Sequence, residues 1–175
     1  DFCLSRGLGD VYKRQAHIDP LTQLPNRSLL RARLEDALLD ESRVSIMMID
    51  LDGFKDVNDT LGHPAGDAVL CAAAKRIQSC VRTSDTVARM GGDEFAVLLR
   101  RLPDPARAGA IADAIIDKMG QIIMIDDEPV HISASVGIAM FPKDGATAQE
   151  LLSGADLALY LSLIHISEPT RQAEI

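Results

Sequence analysis

Two adjacent glycines, followed at once by two acidic residues, constrain the fold of this chain more than any other feature. Gly91 and Gly92 lie between two short apolar runs that are typical of strands, Thr86–Ala88 and Phe95–Leu99. Because glycine tolerates a positive φ, the pair predicts a tight hairpin turn with a glycine at both central positions. A turn without Cβ atoms lets a phosphate approach the backbone, and the acids beside it can hold a metal ion that bridges to that phosphate. A hairpin whose acids are simply solvated is the alternative.

A second acidic position follows an apolar run that predicts a buried strand, Ser45–Ile49. Asp50 then lies at the exposed end of this strand, where ligands bind in α/β folds. Asp50 and Asp93 can therefore meet on neighbouring strands. Carboxylates paired in this way suit Mg²⁺ and a nucleoside triphosphate. Taken alone, Asp50 could equally cap a helix.

Composition limits the partners of the chain. Its 175 residues, 47% of them hydrophobic, support one domain with a substantial core. The formal net charge of −8 argues against nucleic acid as the main partner, because nucleic acid needs a basic surface. A single nucleotide remains compatible, since metal ions and local basic residues can offset its phosphates. No apolar run approaches the length of a membrane helix, so we expect no membrane contact by this chain.

The cysteines indicate a compartment. Cys71 and Cys80 fall on a predicted helix and are too far apart for a metal pair. We interpret them as buried thiols in a reducing environment, which predicts a cytoplasmic location. A full-length parent could still be anchored in a membrane through an upstream region.

The order of predicted elements is strand, helix, hairpin, helix, strand, which predicts an α+β fold with helices flanking a central, mostly antiparallel sheet. The predicted helices are Asn26 to about Asp40, Gly53–Leu61, Pro64–Val81, Asp104–Met119 and Thr147–Tyr160. The predicted strands are Val44–Asp50, Thr86–Met90, Asp93–Leu99 and Val130–Phe141.

Four sequence blocks resemble, in order, the GGDEF family of diguanylate cyclases. They are Asp19–Arg27, Ile49–Lys55 with Asn58–Asp67, Gly91–Phe95, and Ser133–Ala139 with Ala155–Tyr160. Together they span nearly all of residues 19–160, and four ordered motifs are far more specific than one short string. Gln23 stands where the family usually has glycine, which could alter a loop turn. The resemblance implies a palm-like fold related to nucleotide cyclases and polymerase palms.

The resemblance also implies a metal site and a catalytic group. Asp50 and Asp93, with the carbonyl of Leu51, would hold Mg²⁺ or Mn²⁺, and Asp93 would also help to activate the 3′-hydroxyl group. Glu94 would support the metal site. Lys55 would stabilise charge on the phosphates, a role that a lysine can fill as a point charge.

The resemblance further implies a substrate site for GTP. Gly91 and Gly92 would give the triphosphate room at the backbone. Asn58 and Asp67 would read guanine, because an aspartate can accept from two guanine N–H groups at once, which adenine cannot satisfy. His63 would lie near the substrate, although a histidine at this place often only packs or caps a helix.

The implied reaction joins two GTP molecules, one per subunit, into cyclic di-GMP with release of pyrophosphate, and therefore needs an antiparallel homodimer. A catalytically silent module that binds GTP or cyclic di-GMP and regulates an attached domain is the alternative. A polymerase palm is disfavoured by the acidic charge and the short length.

A further motif precedes the glycine pair. Arg82 and Asp85 form an R-x-x-D at the offset of the family's product-inhibition site, and a planar guanidinium suits bidentate binding to guanine or phosphate. A helix-ending arginine followed by a turn-forming aspartate is the plain alternative.

Both ends of the chain look foreign to this domain. A DNA sequence that encodes Ser5–Gln15 encodes Leu161–Arg171 on its complementary strand, as expected of translated sequencing-adapter ends. We therefore expect residues 1–15 and 161–175 to be non-native tails with few specific contacts, and residues 16–160 to form a GGDEF domain truncated at its C-terminus. Leu161–Ile166 is apolar and β-prone and could imitate the family's closing strand.

Overall fold

The computed structural model describes residues 16–40, 43–102 and 104–167, with only the backbone described for residues 164–167. The helices are α1 (Arg27–Leu39), α2 (Phe54–Leu61), α3 (His63–Gln78), α4 (Ala106–Met119) and α5 (Ala148–Ser167). The strands are β1 (Ser45–Asp52), β2 (Thr86–Gly91), β3 (Glu94–Leu99), β4 (Ile123–Ile125), β5 (Glu128–Val130) and β6 (Ser133–Met140).

Four strands form one antiparallel sheet in the order β2–β3–β1–β6, while β4 and β5 form a separate hairpin. β1 is central, since its Met48 pairs with Ala96 of β3 on one side and with Gly137 of β6 on the other. Helices pack on both faces of this sheet. The α+β class, with helices flanking a mostly antiparallel sheet, is confirmed.

Side chains alternate along β1 and supply two separate cores. Met47 and Ile49 face a core that α2, α3 and α4 cover, whereas Ile46 and Met48 face a core that α1 and α5 cover. Burying one such side chain contributes about 1.5–3 kcal/mol relative to leaving it exposed. A slip of one residue would exchange the two sets, so burial on both faces fixes the register that positions the end of β1.

Side-chain caps fix where two helices begin. Asn26 Oδ1 accepts the N–H of Leu29 at 3.1 Å at the start of α1. Thr147 Oγ1 accepts the N–H of Glu150 at 3.2 Å, and Glu150 Oε2 accepts the N–H of Thr147 at 3.3 Å, which forms a capping box ahead of α5. The predicted starts of these helices are confirmed.

The prediction of one long strand over Val130–Phe141 is wrong. Val130 ends β5, and β6 begins at Ser133. Asp126 and Asp127, with φ of 48° and 66°, form the turn between β4 and β5. This left-handed pair is the geometry of a tight hairpin turn, which aspartate tolerates better than most residues.

The prediction that Leu161–Ile166 could imitate a strand is also wrong, because the backbone of α5 continues through Ser167. Leu163 lies one helical turn after Leu159 and packs against the same core as α1 and α5, so an apolar helix face extends past Tyr160. The other predicted tail residues, 1–15 and 168–175, lie outside the described ranges. No helix within the described ranges is both long and apolar enough to cross a membrane.

Candidate functional site

The glycine pair forms a turn whose outer side is open. Gly91 and Gly92 have φ of 145° and 49°, and a Cβ added at either would meet no atom within 4 Å. Gly91 pairs with Glu94, so the two-residue loop consists of Gly92 and Asp93. The expectation that both glycines are central is therefore wrong, because an irregularity between Arg89 and Gly91 shifts the turn by one residue. The open side leaves room for a phosphate at the backbone.

Three carboxyl groups lie together at the same end of the sheet. Asp50 pairs with Glu94 across β1 and β3, which places their side chains on one sheet face. The prediction that Asp93 begins a strand is wrong, because the strand begins at Glu94 and Asp93 lies in the turn. The N–H of Leu51 donates to the carbonyl oxygen of Asp93 at 3.2 Å, and the carboxyl group of Asp93 is close enough to that of Asp50 to perturb its ionisation. Strand pairing and the turn thus bring the predicted metal ligands side by side.

Asp52 is a fourth acid at this end, and serine hydroxyls engage both of its oxygens. Ser135 Oγ donates to Asp52 Oδ1 and Oδ2 at 3.1 and 2.9 Å, and Ser133 Oγ donates to Oδ2 at 3.1 Å. Both serines belong to β6, so these bonds tie the start of β6 to the end of β1. Sequence reasoning missed this support, although serines at alternate positions of a strand are a signal for it.

Burial raises the pKa of Asp50 to about 6, with further contributions from the negative charges of Asp93, Glu94 and Asp52. A cation among these groups would offset the repulsion and favour the ionised carboxylate. The charge balance of the cluster is therefore suited to a divalent cation.

The donor set also fits a hard cation such as Mg²⁺, because Asp50 and Asp93 offer carboxylate oxygens and Leu51 a backbone carbonyl. Within the described ranges, no group of three or more His, Cys, Asp or Glu side chains is arranged to hold a metal ion. Mg²⁺ usually keeps several waters and is bound through one or two carboxylates together with substrate phosphates. The residues present match that kind of incomplete shell.

A second group of predicted residues lies on the helices that follow β1. Gly53, with φ of 84°, turns the chain from β1 directly into α2. Lys55 is exposed in the first turn of α2, and His63 and Asp67 are exposed in the first turns of α3. Asn58 is half-buried, and its side chain lies directly over Gly66, the neighbour of Asp67. The structure thus brings Asn58 and Asp67 to one corner between α2 and α3.

Arg89 is a residue that sequence reasoning missed. Its Nε and Nη2 atoms donate to the Gly92 carbonyl at 3.1 and 2.9 Å, and Nη1 donates to Asp19 Oδ1 at 3.1 Å. The N–H and hydroxyl groups of Thr22 donate to the same carboxylate. Burial alone would raise the pKa of Asp19, but these hydrogen bonds and the charge of Arg89 outweigh it and lower the pKa. The signature turn is therefore tied to the loop ahead of α1. An arginine inside an apolar strand was the available signal.

A cleft of about 540 Å³ opens beside the turn, between α1 and α5. Its lining includes Arg27, Arg89, Gly91 and Asp156. Arg27 Nη2 lies 3.9 Å from Glu94 Oε2 at a site where both side chains are well exposed. The carboxyl cluster thus has a loosely paired cation at its edge, which the sequence analysis did not single out.

Arg82 and Asp85 form a closed pair at the start of β2, whereas the glycine turn follows the end of that strand. Arg82 Nε lies 3.2 Å from Asp85 Oδ2, and Nη2 lies 3.3 Å from Oδ1. The Asp85 side chain is fully buried and also accepts the N–H groups of Arg82 and Arg100. A cleft of about 250 Å³ adjoins the pair. Asp85 thus stabilises a turn, which is the role that the alternative to a product-inhibition site assigned to it. Arg82 is the more exposed of the two side chains.

Comparison with known proteins identifies the family. The family described as "Diguanylate cyclase, GGDEF domain" matches residues 16–163, and the chain belongs to it. The chain is 48% identical over 161 residues to the bifunctional diguanylate cyclase/cyclic di-GMP phosphodiesterase MucR of Pseudomonas aeruginosa, covering 90% of this chain and 23% of that protein. It is 46% identical over 166 residues to the diguanylate cyclase TpbB of the same species, covering 92% of this chain and 38% of TpbB.

Solved structures agree with this assignment. The GGDEF domain of TpbB is 45% identical with a TM-score of 0.83, covering 85% of this chain and 90% of that domain. The coiled coil and GGDEF domain of DgcB from Caulobacter crescentus, in complex with c-di-GMP, is 26% identical with a TM-score of 0.83, covering 93% and 87%. The chain therefore corresponds to nearly all of a GGDEF domain but to less than two fifths of either curated relative.

Proposed function

We propose that this domain is a diguanylate cyclase that condenses two GTP molecules into cyclic di-GMP and releases pyrophosphate. The observation that carries the proposal is the carboxyl cluster of Asp50, Asp93 and Glu94 beside an open glycine turn. Relatives named as diguanylate cyclases support the same reaction.

In this proposal the end of β1 and the turn hold the reacting phosphates. Asp50, Asp93 and the Leu51 carbonyl hold Mg²⁺ or Mn²⁺, which when bound neutralises phosphate charge. Asp93 accepts the proton of the 3′-hydroxyl, whose oxygen attacks the α-phosphorus as pyrophosphate leaves. Glu94 keeps the local charge negative, and Lys55 stabilises charge on the phosphates.

The corner between α2 and α3 selects the base. Asn58 and Asp67 read guanine, and His63, exposed at the start of α3, contacts the bound nucleotide. One domain offers one such corner, so the two GTP molecules are brought together by an antiparallel homodimer. Cys71 and Cys80 are half-buried rather than buried as expected, and their free thiols support a cytoplasmic location.

We further propose that cyclic di-GMP inhibits the domain through Arg82 and Asp85. The product would compete with Arg82 for Asp85, because that pair is closed without a ligand. The complex of DgcB with c-di-GMP supports product binding by a similar domain. Arg82→Ala should leave initial rates nearly unchanged and raise the product concentration needed for inhibition; equal inhibition of both proteins would contradict the assignment.

A catalytically silent module that binds GTP or cyclic di-GMP remains the second candidate, because a relative 39% identical over 154 residues, NbdA of Pseudomonas aeruginosa, is named as a cyclic di-GMP phosphodiesterase alone. The experiment that separates them is incubation with GTP and Mg²⁺, followed by chromatography of the products. The proposal expects cyclic di-GMP and pyrophosphate from the parent and from Asp113→Ala, an exposed α4 control, but none from Asp93→Ala. GTP binding without product in the parent would favour the silent module, and full activity of Asp93→Ala would contradict the catalytic assignment.

A further inference from the structure

Gly66 lies in the interior of α3 although its backbone is ordinary helix. Glycine there costs about 1 kcal/mol relative to alanine, and Gly66 lacks the positive φ that would require it. The space above it supplies the reason. An added Cβ would overlap Asn58 Oδ1 and lie 2.9 Å from Asn58 Cγ and 3.3 Å from Phe54 Cζ. A methyl group and the Asn58 amide cannot share this space.

The obstructing group at Gly66 is a polar side chain from a neighbouring helix. Asn58 is half-buried in α2, and its backbone carbonyl accepts the N–H of Gly62, the residue that links α2 to α3. Phe54, one turn earlier on α2, packs against the core that α2, α3 and α4 cover and flanks the same space. The Asn58 amide therefore occupies the space above the bare backbone of Gly66, with the Phe54 ring beside that space.

We propose that Gly66 is a positioning residue for base selection, which acts by leaving the space in which the Asn58 amide is seated beside Asp67. The inference rests on the proposed function, in which Asn58 and Asp67 read guanine. A polar group that is held in place before the ligand arrives loses less conformational freedom on binding. The seat at Gly66 thus sets how strongly the corner prefers guanine over adenine.

Replacement of Gly66 by alanine should displace the Asn58 amide without touching the carboxyl cluster. Loss of one hydrogen-bonding partner should lower affinity for a guanine nucleotide about tenfold, which corresponds to about 1.4 kcal/mol. Affinity for the adenine nucleotide should stay unchanged, because that base does not satisfy the corner. Alanine also favours the helix itself, so a loss of guanine affinity cannot come from weaker helix propensity.

The test compares matched variants of the whole chain by calorimetry with non-hydrolysable GTP and ATP analogues in Mg²⁺. Gly109→Ala is the matched control, because Gly109 is also inside a helix and an added Cβ there meets nothing within 4 Å. The inference expects Gly66→Ala to lose guanine preference, Gly109→Ala to keep it, and Gly66→Ala to have no further effect in an Asn58→Ala background. Unchanged guanine preference in Gly66→Ala, or an equal loss in both backgrounds, would overturn it.

Two further outcomes separate the claims. If Gly66→Ala fails to fold, a double variant with both Asn58→Ala and Gly66→Ala decides the matter. A folded double variant supports the inference, and an unfolded one overturns it. A parent chain that binds both analogues equally overturns the proposed function and this inference together, whereas a selective parent with a selective Gly66→Ala variant overturns the inference alone.

Discussion

At the scale of single residues, the site is defined by charge that the fold leaves uncompensated. Asp50 has a raised pKa because it is partly buried beside other acids. The sequence could predict that Asp50 and Asp93 would meet, since an acid after a buried strand and an acid after a glycine turn suggest one sheet edge. The alternating serines of β6 signalled hydroxyl donors on one face of a strand, but the sequence could not show that they meet Asp52, because that depends on the register between β1 and β6.

The raised pKa of Asp50 predicts a pH effect on stability without divalent ions. Its pKa is about 6 when folded and lies near 4 when unfolded, so the folded state binds more protons between these values. The favourable contribution of this group is complete below about pH 4 and is lost as pH rises through 6. Asp50→Asn should lack that loss, so its advantage over the parent should grow between pH 4 and 7 in denaturant titrations. A constant difference across this range would contradict the shifted pKa.

At the scale of elements, strong periodicity and caps made the helices and the central strand predictable. The β4–β5 hairpin was missed because its turn uses Asp126 and Asp127 instead of an Asn-Gly or Gly-Gly pair. The centre of the signature turn was displaced by one residue, because the irregularity before Gly91 has no signal in the sequence. The tie from Arg89 to the loop ahead of α1 depends on tertiary contact, which periodicity does not reveal.

The Arg89 tie predicts an energetic coupling between the signature turn and the loop ahead of α1. The two side chains are only 16% and 15% exposed, so their interaction is poorly screened. In a double-mutant cycle, Arg89→Ala and Asp19→Ala should show a coupling of about 1–3 kcal/mol in free energy of unfolding. The exposed pair Arg31 and Glu35 serves as the control and should couple by less than about 0.5 kcal/mol. Equal coupling in both cycles would contradict the tie.

The packing of α5 on β6 predicts opposite effects of two glycine substitutions. A Cβ at Gly137 would overlap the backbone of Ala155 and Leu159, which cannot move without shifting α5. Gly137→Ala should therefore destabilise the domain by about 1–3 kcal/mol or more. Gly109→Ala should stabilise it by up to about 1 kcal/mol, because that site is an open helix position. Thermal unfolding of both variants measures this contrast, and a neutral Gly137→Ala would refute the close helix-to-strand contact.

At the scale of the whole molecule, two cores hold one sheet, and the carboxyl cluster occupies one end of it. β1 runs between both cores and ends in Asp50 and Asp52, so the register of the sheet aligns the acids with the glycine turn. The same turn connects through Arg89 to the loop ahead of α1. The central claim is that this end of the sheet binds a divalent cation together with the nucleotide.

The most direct test of that claim is electron spin resonance titration of Mn²⁺ in the presence of a non-hydrolysable GTP analogue. Asp50→Asn and Asp93→Asn keep the shape of each side chain and remove its charge, while Asp113→Asn removes an exposed charge from α4. We expect the parent and Asp113→Asn to bind Mn²⁺ with equal affinity, and Asp50→Asn and Asp93→Asn to bind it at least about tenfold more weakly. Equal Mn²⁺ binding by all four proteins would contradict the account.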